Sequence, residues 1–300
     1  MSTVVALGGN ALVRPGERGT AAEQLANLRR AVTALRPLLA QSGGLAITHG
    51  NGPQVGNELL RQERAAAEAP PLPLWLAVAQ TQAEIGALIA AELRLPLGER
   101  AVACVLTHVR VASDDPAFDR PTKPIGPFYS TEQAERLERD RGWLLAADAN
   151  RGHRRVVPSP APLEIVELAA IRQLADAGTV TIACGGGGIP VVRRGGRLSG
   201  VDAVIDKDRA SALLARELEA ERLIIITEVP AVYRNFGAED QEEIRELSRS
   251  EAEALLPELA EGSMRPKIES ALGFAGETLI TNIDSVEGAL AGNAGTRVRP

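Results

Sequence analysis

The sequence has few aromatic residues and few cysteines. Aromatic residues make up 3% of the 300 residues, whereas 45% are hydrophobic. The core must therefore be built from Ala, Val, Leu and Ile. Both cysteines, Cys104 and Cys184, lie in apolar strand-like runs. We expect buried thiols in a reducing compartment, because a disulfide framework needs more cysteines and an oxidising environment.

The sequence also lacks an excess of basic residues and any clear signal for a membrane. The formal net charge is −6 and the isoelectric point is near 5.4, which argues against nucleic acid or anionic membrane as a partner. The N-terminus has no basic stretch of the kind that begins a signal peptide. The apolar stretch 72–93 is interrupted by Gln80, Gln82, Glu84 and Glu92, so we predict no membrane span. These absences predict a cytoplasmic protein.

Lysine is rare as well. Only Lys123, Lys207 and Lys267 are lysines among 33 basic residues. An ammonium group is compact and mobile in a way that a planar guanidinium is not, and each lysine lies in a segment rich in Gly, Pro or Asp. We therefore interpret the three as functional; the alternative is that they lie in surface turns.

Buried strands alternate with helices along the chain, and several strands end in glycine. Residues 3–7 precede Gly8-Gly9-Asn10, and residues 45–48 precede His49-Gly50-Asn51-Gly52. This alternation predicts an α/β fold with a parallel sheet, in which ligands bind at the carboxyl ends of the strands. His49 could act as a base or could simply order its loop.

Two later segments favour anion binding. Residues 185–188 are four consecutive glycines after a predicted strand, which makes sense where a backbone must approach a phosphate. Asp206 is a good N-cap for a helix over 207–220, so Lys207 lies in a first turn that favours anions. Residues 191–199 predict a β-hairpin between these two segments.

The pattern becomes irregular between residues 107 and 157. Prolines at 116, 121, 124 and 127 exclude a continuous helix or a central strand. A loop of this length with short elements of its own is typically functional. We interpret it as an inserted lid that could bring Lys123 over a ligand; the alternative is an inert excursion.

The known signatures of other enzymes are missing: the chain has no Walker A loop, no protein-kinase lysine and aspartate set, no nucleophile elbow, and no zinc pattern. Phosphoryl transfer depends chiefly on positioning and on charge neutralisation. Glycine loops, lysines and a metal can supply both. The inventory therefore predicts a kinase without a P-loop.

Six segments, in order along nearly the whole chain, resemble the carbamate kinases of the amino acid kinase family: residues 6–12, 48–56, 121–129, 183–192, 200–211 and 262–267. Residues 115–118 and 121–129 are similar to carbamate kinases in particular. The resemblance implies one domain over 1–300, an α/β/α sandwich around a largely parallel eight-stranded sheet, with a protruding subdomain inserted at 108–157, and a homodimer.

The implied reaction is reversible phosphoryl transfer between ATP with carbamate and ADP with carbamoyl phosphate, with Mg, used to make ATP in arginine catabolism. By resemblance, the catalytic residues are Lys123, Lys207, Lys267 and Asp208, and the metal ligands are not assigned. The substrate-binding residues would be Gly8, Gly9, Asn10, Gly50, Asn51 and Gly52. The nucleotide-binding residues would be Gly185, Gly186, Thr227, Tyr233 and Met264; Tyr233 could instead cap the core.

The chain departs from the family pattern at residues 228–231 and at Ala83, where a glycine is expected after Gln82. The first departure concerns the nucleotide site, and the second a helix at the acceptor side or at the dimer interface. Two alternative functions are another phosphotransferase of the family, acting on a different small acid or nucleotide, and a non-catalytic sensor of carbamoyl phosphate or nucleotide.

Overall fold

The computed structural model describes residues 2–41, 43–147, 152–259 and 263–300, without the side chain of Asn10. The strands are β1 Thr3–Leu7, β2 Leu45–His49, β3 Val102–Cys104, β4 His108–Arg110, β5 Lys123–Tyr129, β6 Leu145–Ala147, β7 His153–Val157, β8 Glu164–Ile165, β9 Val180–Ile182, β10 Ile189–Arg194, β11 Arg197–Gly200, β12 Arg222–Thr227, β13 Val232–Arg234, β14 Glu242–Ile244, β15 Glu246–Leu247, β16 Glu277–Asn282 and β17 Thr296–Val298. The helices are α1 Ala21–Ala34, α2 Arg36–Leu39, α3 Gly52–Ala65, α4 Leu74–Leu97, α5 Thr131–Arg141, α6 Leu168–Asp176, α7 Lys207–Glu217, α8 Arg249–Leu255, α9 Arg265–Phe274 and α10 Val286–Leu290.

The central sheet has eight strands in the order β15-β17-β16-β12-β1-β2-β9-β3. All neighbouring pairs are parallel except β16 with β17. Val4 and Ala6 of β1 pack in the core cluster that contains α7, whereas Val5 and Leu7 pack in the cluster that contains α1. Because side chains alternate across a strand, helices cover both faces. The predicted α/β/α sandwich is confirmed.

Local sequence signals explain where several helices begin. Thr20 and Ser130 each form a capping box at the start of α1 and α5, and Ser248 does the same for α8. Asp206 caps α7 by accepting hydrogen bonds from two backbone N–H groups. The predicted hairpin forms from β10 and β11. The capping features depend on residues two or three positions apart, which is why the sequence reveals them.

Residues 123–157 contribute a sheet of their own, in the order β5-β7-β6. β5 is an edge strand of this sheet, the place where Pro124 and Pro127 are tolerated. Strand β4 pairs instead with β10 and β8. Ile125 and Val157 pack with Val55 of α3 in a small apolar cluster, so the inserted sheet rests against the body of the protein.

One expectation was wrong: Cys104 is exposed, because β3 is the last strand of the described sheet and has one neighbouring strand. Two helices have boundaries that a simple helical pattern does not reveal. Helix α6 begins only at Leu168, since Glu164–Ile165 pairs with β4 as a short strand. The helical segment after Thr20 divides at Leu35 into α1 and α2.

Helix α4 is long and apolar enough to cross a membrane by length and composition alone. This is weak evidence, because the core helix of a globular protein passes the same test. Ile85, Ile89 and Leu93 are buried with strand residues in one core cluster, and Leu74 and Val78 are buried in another. These apolar side chains of α4 are thus buried in the core of the protein.

Candidate functional site

Glycine-bearing turns follow β1 and β2, whose carboxyl ends meet at one edge of the sheet. Gly8 lies so close to the end of β12 that an added Cβ would stand 2.5 Å from the carbonyl oxygen of Ile226. Gly50 lies beside Lys207, where an added Cβ would be 3.5 Å from Cδ. Any side chain at Gly8 would separate the two strand ends, so glycine is required there.

Lys207 and Lys267 meet on one carboxylate. Lys207 Nζ donates to Oδ1 of Asp208, and Lys267 Nζ donates to Oδ2 at 3.1 Å and to the carbonyl oxygen of Ser263 at 3.1 Å. The side chains of Lys207, Asp208 and Lys267 are 11%, 4% and 13% exposed. Two ammonium groups thus stand together at the N-terminus of α7 with one buried negative charge between them.

Lys123 reaches the same place from the inserted sheet. Its Nζ donates to Oδ2 of Asp206, while Oδ1 of Asp206 accepts from the backbone N–H of Asp208 at 2.9 Å and of Arg209 at 3.3 Å. The N-cap of α7 therefore also anchors the insert. The sequence marks Asp206 as a cap but gives no sign of this ion pair, because the pair joins positions 83 residues apart.

The buried carboxylates and lysines of this cluster shift one another's pKa values. Burial alone would raise the pKa of Asp206, but Lys123, with help from Lys207 and Lys267, holds it well below its usual range. For Asp208, burial likewise acts to raise the pKa, but Lys207 and Lys267 lower it. Burial lowers the pKa of Lys207, whereas the pKa of Lys267 is raised because Asp208 and Asp206 outweigh burial. Both carboxyl groups are therefore ionised at neutral pH.

His49 is fully buried and is not suited to act as a base. Its Nδ1 lies 3.0 Å from the carbonyl oxygen of Gly50, and its Nε2 has no hydrogen-bond partner among the described residues. Burial lowers the pKa of His49 to about 4, so the ring is neutral at neutral pH. The loop-ordering interpretation of His49 fits this geometry, since the Nδ1 contact holds the turn that leads to Asn51.

The first two glycines of the segment 185–188 pack against the end of β2 and the turn that follows it. Gly185 and Gly186 are buried; an added Cβ on Gly185 would stand 2.2 Å from His49 Nε2, and one on Gly186 would stand 2.4 Å from Asn51 Nδ2. Asn51 Nδ2 also donates to Thr81 Oγ1 at 3.0 Å. The structure therefore brings Gly185 and Gly186 to Asn51, and their contact with a nucleotide stays a prediction.

The remaining predicted residues lie around these groups. Gly9 and Asn10 form a short 3-10 turn, and Gly52 begins α3. Thr227 lines a cavity of about 140 Å³ together with Gly8 and Glu228. The roles assigned to these residues stay predictions; the side chain of Asn10 and residue Gly262 lie outside the described part of the chain.

The two other predicted nucleotide residues, Tyr233 and Met264, lie between Asp208 and Lys267 in the sequence. Tyr233, on β13, packs on Phe236 with ring centroids 5.8 Å apart, which leaves both interpretations of Tyr233 open. The carbonyl oxygen of Met264 accepts from the backbone N–H of Lys267 at 3.0 Å. Met264 thus stands at the start of α9, the helix that carries Lys267.

The amino acid kinase family matches residues 1–281. The chain is 46% identical to a carbamate kinase of Halobacterium salinarum, over 99% of this chain and 98% of that protein. It is similar in structure to the carbamate kinase of Giardia lamblia bound to citric acid, with a TM-score of 0.94 at 36% identity, and to the same kinase bound to AMP-PNP, with a TM-score of 0.90 at 37% identity. Each likeness covers 99% of this chain and 98% of the other chain.

Proposed function

This chain belongs to the amino acid kinase family, and we propose that it is a carbamate kinase, which transfers a phosphoryl group reversibly between ATP with carbamate and ADP with carbamoyl phosphate. Relatives of this name match it over almost their whole length. Use of a nucleotide agrees with the similar kinase that was solved with AMP-PNP. We further propose that the reaction makes ATP in arginine catabolism.

The observation that carries the proposal is the meeting of Lys207 and Lys267 on Asp208. Phosphoryl transfer spreads negative charge over the oxygens around phosphorus, and catalysis depends on preorganised positive charge there. Two ammonium groups fixed by one carboxylate at a helix N-terminus supply that charge. Asp208 keeps the two cations close together, although alone they would repel each other.

The reaction can be followed atom by atom in the ATP-forming direction. A terminal phosphate oxygen of ADP attacks the phosphorus of carbamoyl phosphate, and the bond from phosphorus to the carbamate oxygen breaks. The electron pair of that bond leaves with carbamate. Lys207 and Lys267 neutralise the bridging and leaving oxygens, and Lys123 approaches from the insert. No proton moves in this step, which agrees with a neutral, buried His49.

Glycine backbones hold the acceptor side. We propose that the turns at Gly8-Gly9-Asn10 and Gly50-Asn51-Gly52 bind carbamate and the transferred phosphoryl group through backbone N–H groups and the Asn51 amide. Thr227, Tyr233 and Met264 line the nucleotide side. Gly185 and Gly186 shape the wall behind Asn51, where no side chain fits.

Magnesium enters as part of the nucleotide substrate in this proposal. The described residues contain no group of three or more His, Cys, Asp or Glu side chains that could hold a metal ion, and both oxygens of Asp208 already accept from lysines. Mg²⁺ commonly binds substrate phosphates with few protein ligands. The residues present therefore fit a metal carried by ATP or ADP, not a resident metal ion.

We also propose that the insert at 108–157 acts as a lid over the acceptor, within a single domain over 1–300. Lys123 on β5 is only 31% exposed although it comes from the insert, because it reaches Asp206. The enzyme is proposed to be a cytoplasmic homodimer whose partners are its small-molecule substrates and not nucleic acid or membrane, in line with its acidic charge.

A substrate panel tests the proposal. A coupled assay measures ATP formation from ADP in the presence of Mg²⁺, with carbamoyl phosphate, acetyl phosphate or another acyl phosphate as the phosphoryl donor. The reverse reaction is measured with ATP as donor and carbamate, N-acetylglutamate, aspartate or UMP as acceptor. We expect turnover with carbamoyl phosphate and carbamate alone. Turnover with another acceptor would assign the chain to a sister activity, and tight binding of ADP without any turnover would indicate a sensor.

A further inference from the structure

One buried glutamine joins two loops at the ligand-binding edge of the sheet. Gln82 of α4 is 1% exposed. Its Oε1 accepts from the backbone N–H of Thr107 at 2.6 Å, and its Nε2 donates to the carbonyl oxygen of Gly185 at 2.7 Å and to that of Thr107 at 3.4 Å. Thr107 follows β3 and Gly185 follows β9, so a single amide ties the ends of two neighbouring strands.

The loop that Gln82 holds presses on Asn51. Gly185 stands between Gln82 and His49: an added Cβ there would be 2.9 Å from Gln82 Cγ and 2.2 Å from His49 Nε2. The next residue, Gly186, abuts the Asn51 amide. Contacts therefore run without a gap from Gln82 through the glycine loop to the side chain of Asn51.

A further hydrogen bond fixes the start of the glycine loop to Thr107. Thr107 Oγ1 accepts from the backbone N–H of Cys184 at 3.0 Å, so the residue before the glycine loop is fixed to the same threonine that Gln82 binds. On the neighbouring helical position, Thr81 accepts from Asn51 Nδ2 at 3.0 Å. Helix α4 thus holds both the glycine loop and Asn51 by adjacent side chains.

We propose that Gln82 is a positioning residue for phosphoryl transfer: it fixes the Gly185 loop that sets the orientation of the Asn51 amide. This inference rests on the proposed function, in which Asn51 contacts the transferred phosphoryl group. Gln82 touches no substrate and acts through the loop. Its amide suits the task because it offers a donor and an acceptor at one end of a side chain.

The experiment compares three variants on the intact enzyme. Gln82→Met keeps the length of the side chain and removes both hydrogen bonds. Gln82→Glu keeps the shape, and its protonated carboxyl can still donate to Gly185 and accept from Thr107, whereas the ionised form cannot donate. The control is Gln80→Met on the same helix, since Gln80 is exposed and accepts only from Gln62 among the described residues.

ATP formation from carbamoyl phosphate and ADP is measured from about pH 5.5 to pH 9, and each rate is expressed relative to the wild type at the same pH. We expect Gln82→Met to lose kcat by roughly 10-fold or more, with the KM for ADP changed much less. Gln82→Glu should retain activity while its carboxyl is protonated and fall towards Gln82→Met as the carboxyl ionises. Gln80→Met should match the wild type.

Other titratable groups near Gln82 are common to the wild type and the variants. They are His49 on β2, Cys184 after β9, Cys104 on β3, and the pair of His108 and Glu167, whose ring Nδ1 and carboxylate lie 2.9 Å apart. These groups are present in the wild type and in every variant, so the ratio of rates at one pH removes their contribution. What changes the ratio is the new carboxyl alone.

Wild-type kcat in Gln82→Met, or a Gln82→Glu variant that keeps the wild-type rate at pH 9, where an ionised carboxyl cannot donate to Gly185, would overturn the inference. If Gln82→Met fails to fold, that result for a folded Gln82→Glu would overturn it equally. A wild-type protein that makes no ATP would overturn the proposed function and this inference with it. An active wild type with an unaffected Gln82→Met would overturn the inference alone.

Discussion

The substitution Gly56→Ala tests how closely the insert must approach the body of the protein. Gly56 lies in α3 and faces Gly126 of β5, which has a φ of +74°. An added Cβ on Gly56 would stand 1.8 Å from Gly126 Cα and 2.2 Å from its N. Both neighbouring atoms are backbone, so no side-chain rotation can relieve the clash, and α3 and β5 must separate.

The size of the effect follows from this contact. To move the added Cβ from 1.8 Å to the 3.4 Å of an ordinary contact, the two backbones must separate by 1.6 Å. Alanine in place of glycine inside a helix normally adds about 1 kcal/mol of stability, whereas overpacking of this kind costs about 1–3 kcal/mol. Because β5 also carries Lys123, we expect a net loss of stability and a fall in turnover of about 10-fold or more, since a shift of about 1 Å can cost far more than that.

The assay combines urea denaturation with ATP formation from carbamoyl phosphate. Gly273→Ala is the matched control, because Gly273 is a helical glycine with nothing within 4 Å of an added Cβ; it should be at least as stable as the wild type and fully active. If Gly56→Ala matched Gly273→Ala in stability and turnover, the close approach of α3 and β5 would be refuted.

Three further predictions concern charge. Asp208→Asn should lower turnover about 10²-fold, because Lys207 and Lys267 lose the charge that holds them together, with steady-state kinetics as the measurement; unchanged turnover would contradict this. Burial lowers the pKa of His49 from 6.5 to about 4, so between these pH values the unfolded state binds more protons than the folded state. The wild type should therefore lose about 3 kcal/mol of stability as the pH falls from 6.5 to 4. Urea denaturation of His49→Asn should show a weaker dependence of stability on pH, and equal pH dependence in the two proteins would contradict the assignment. The pKa of Asp206 is lowered from 3.8, so its contribution to stability is full above that pH and is lost on further acidification. The stability difference between wild type and Asp206→Asn should therefore be constant from about pH 5 to 7 and shrink below about pH 4. A difference that grew as the pH fell would refute the stabilising role of the Asp206 carboxylate.

The sequence predicts the site where the chemistry is local. The N-cap at Asp206 and the capping box at Thr20 depend on hydrogen bonds within three residues, so composition and spacing reveal them. The glycine turns after β1 and β2 are likewise visible in the sequence, and the rarity of lysine singles out Lys207 and Lys267. The resemblance to carbamate kinases implied the sheet of eight strands, which is confirmed, and the roles of the residues, which stay predictions.

Long-range pairings could not be predicted. The ion pair of Lys123 with Asp206 depends on how the insert docks, and the bridge made by Gln82 depends on the order in which β3 and β9 pair. Neither is encoded in a local pattern. The expectation that Cys104 is buried failed for a related reason: an apolar run looks buried in sequence, yet Cys104 is exposed because its strand lies at the edge of the sheet.

The most direct test of the central claim measures ATP formation from ADP and carbamoyl phosphate with Mg²⁺ in wild type, Lys207→Ala and Lys207→Arg, with Arg136→Ala as a surface control whose side chain is 79% exposed. Lys207 is 11% exposed and bound to Asp208, so a larger planar guanidinium should not replace it. We predict rapid ATP formation in wild type and in Arg136→Ala, and a loss of about 10²-fold in both Lys207 variants. A wild-type rate in Lys207→Ala would contradict the account.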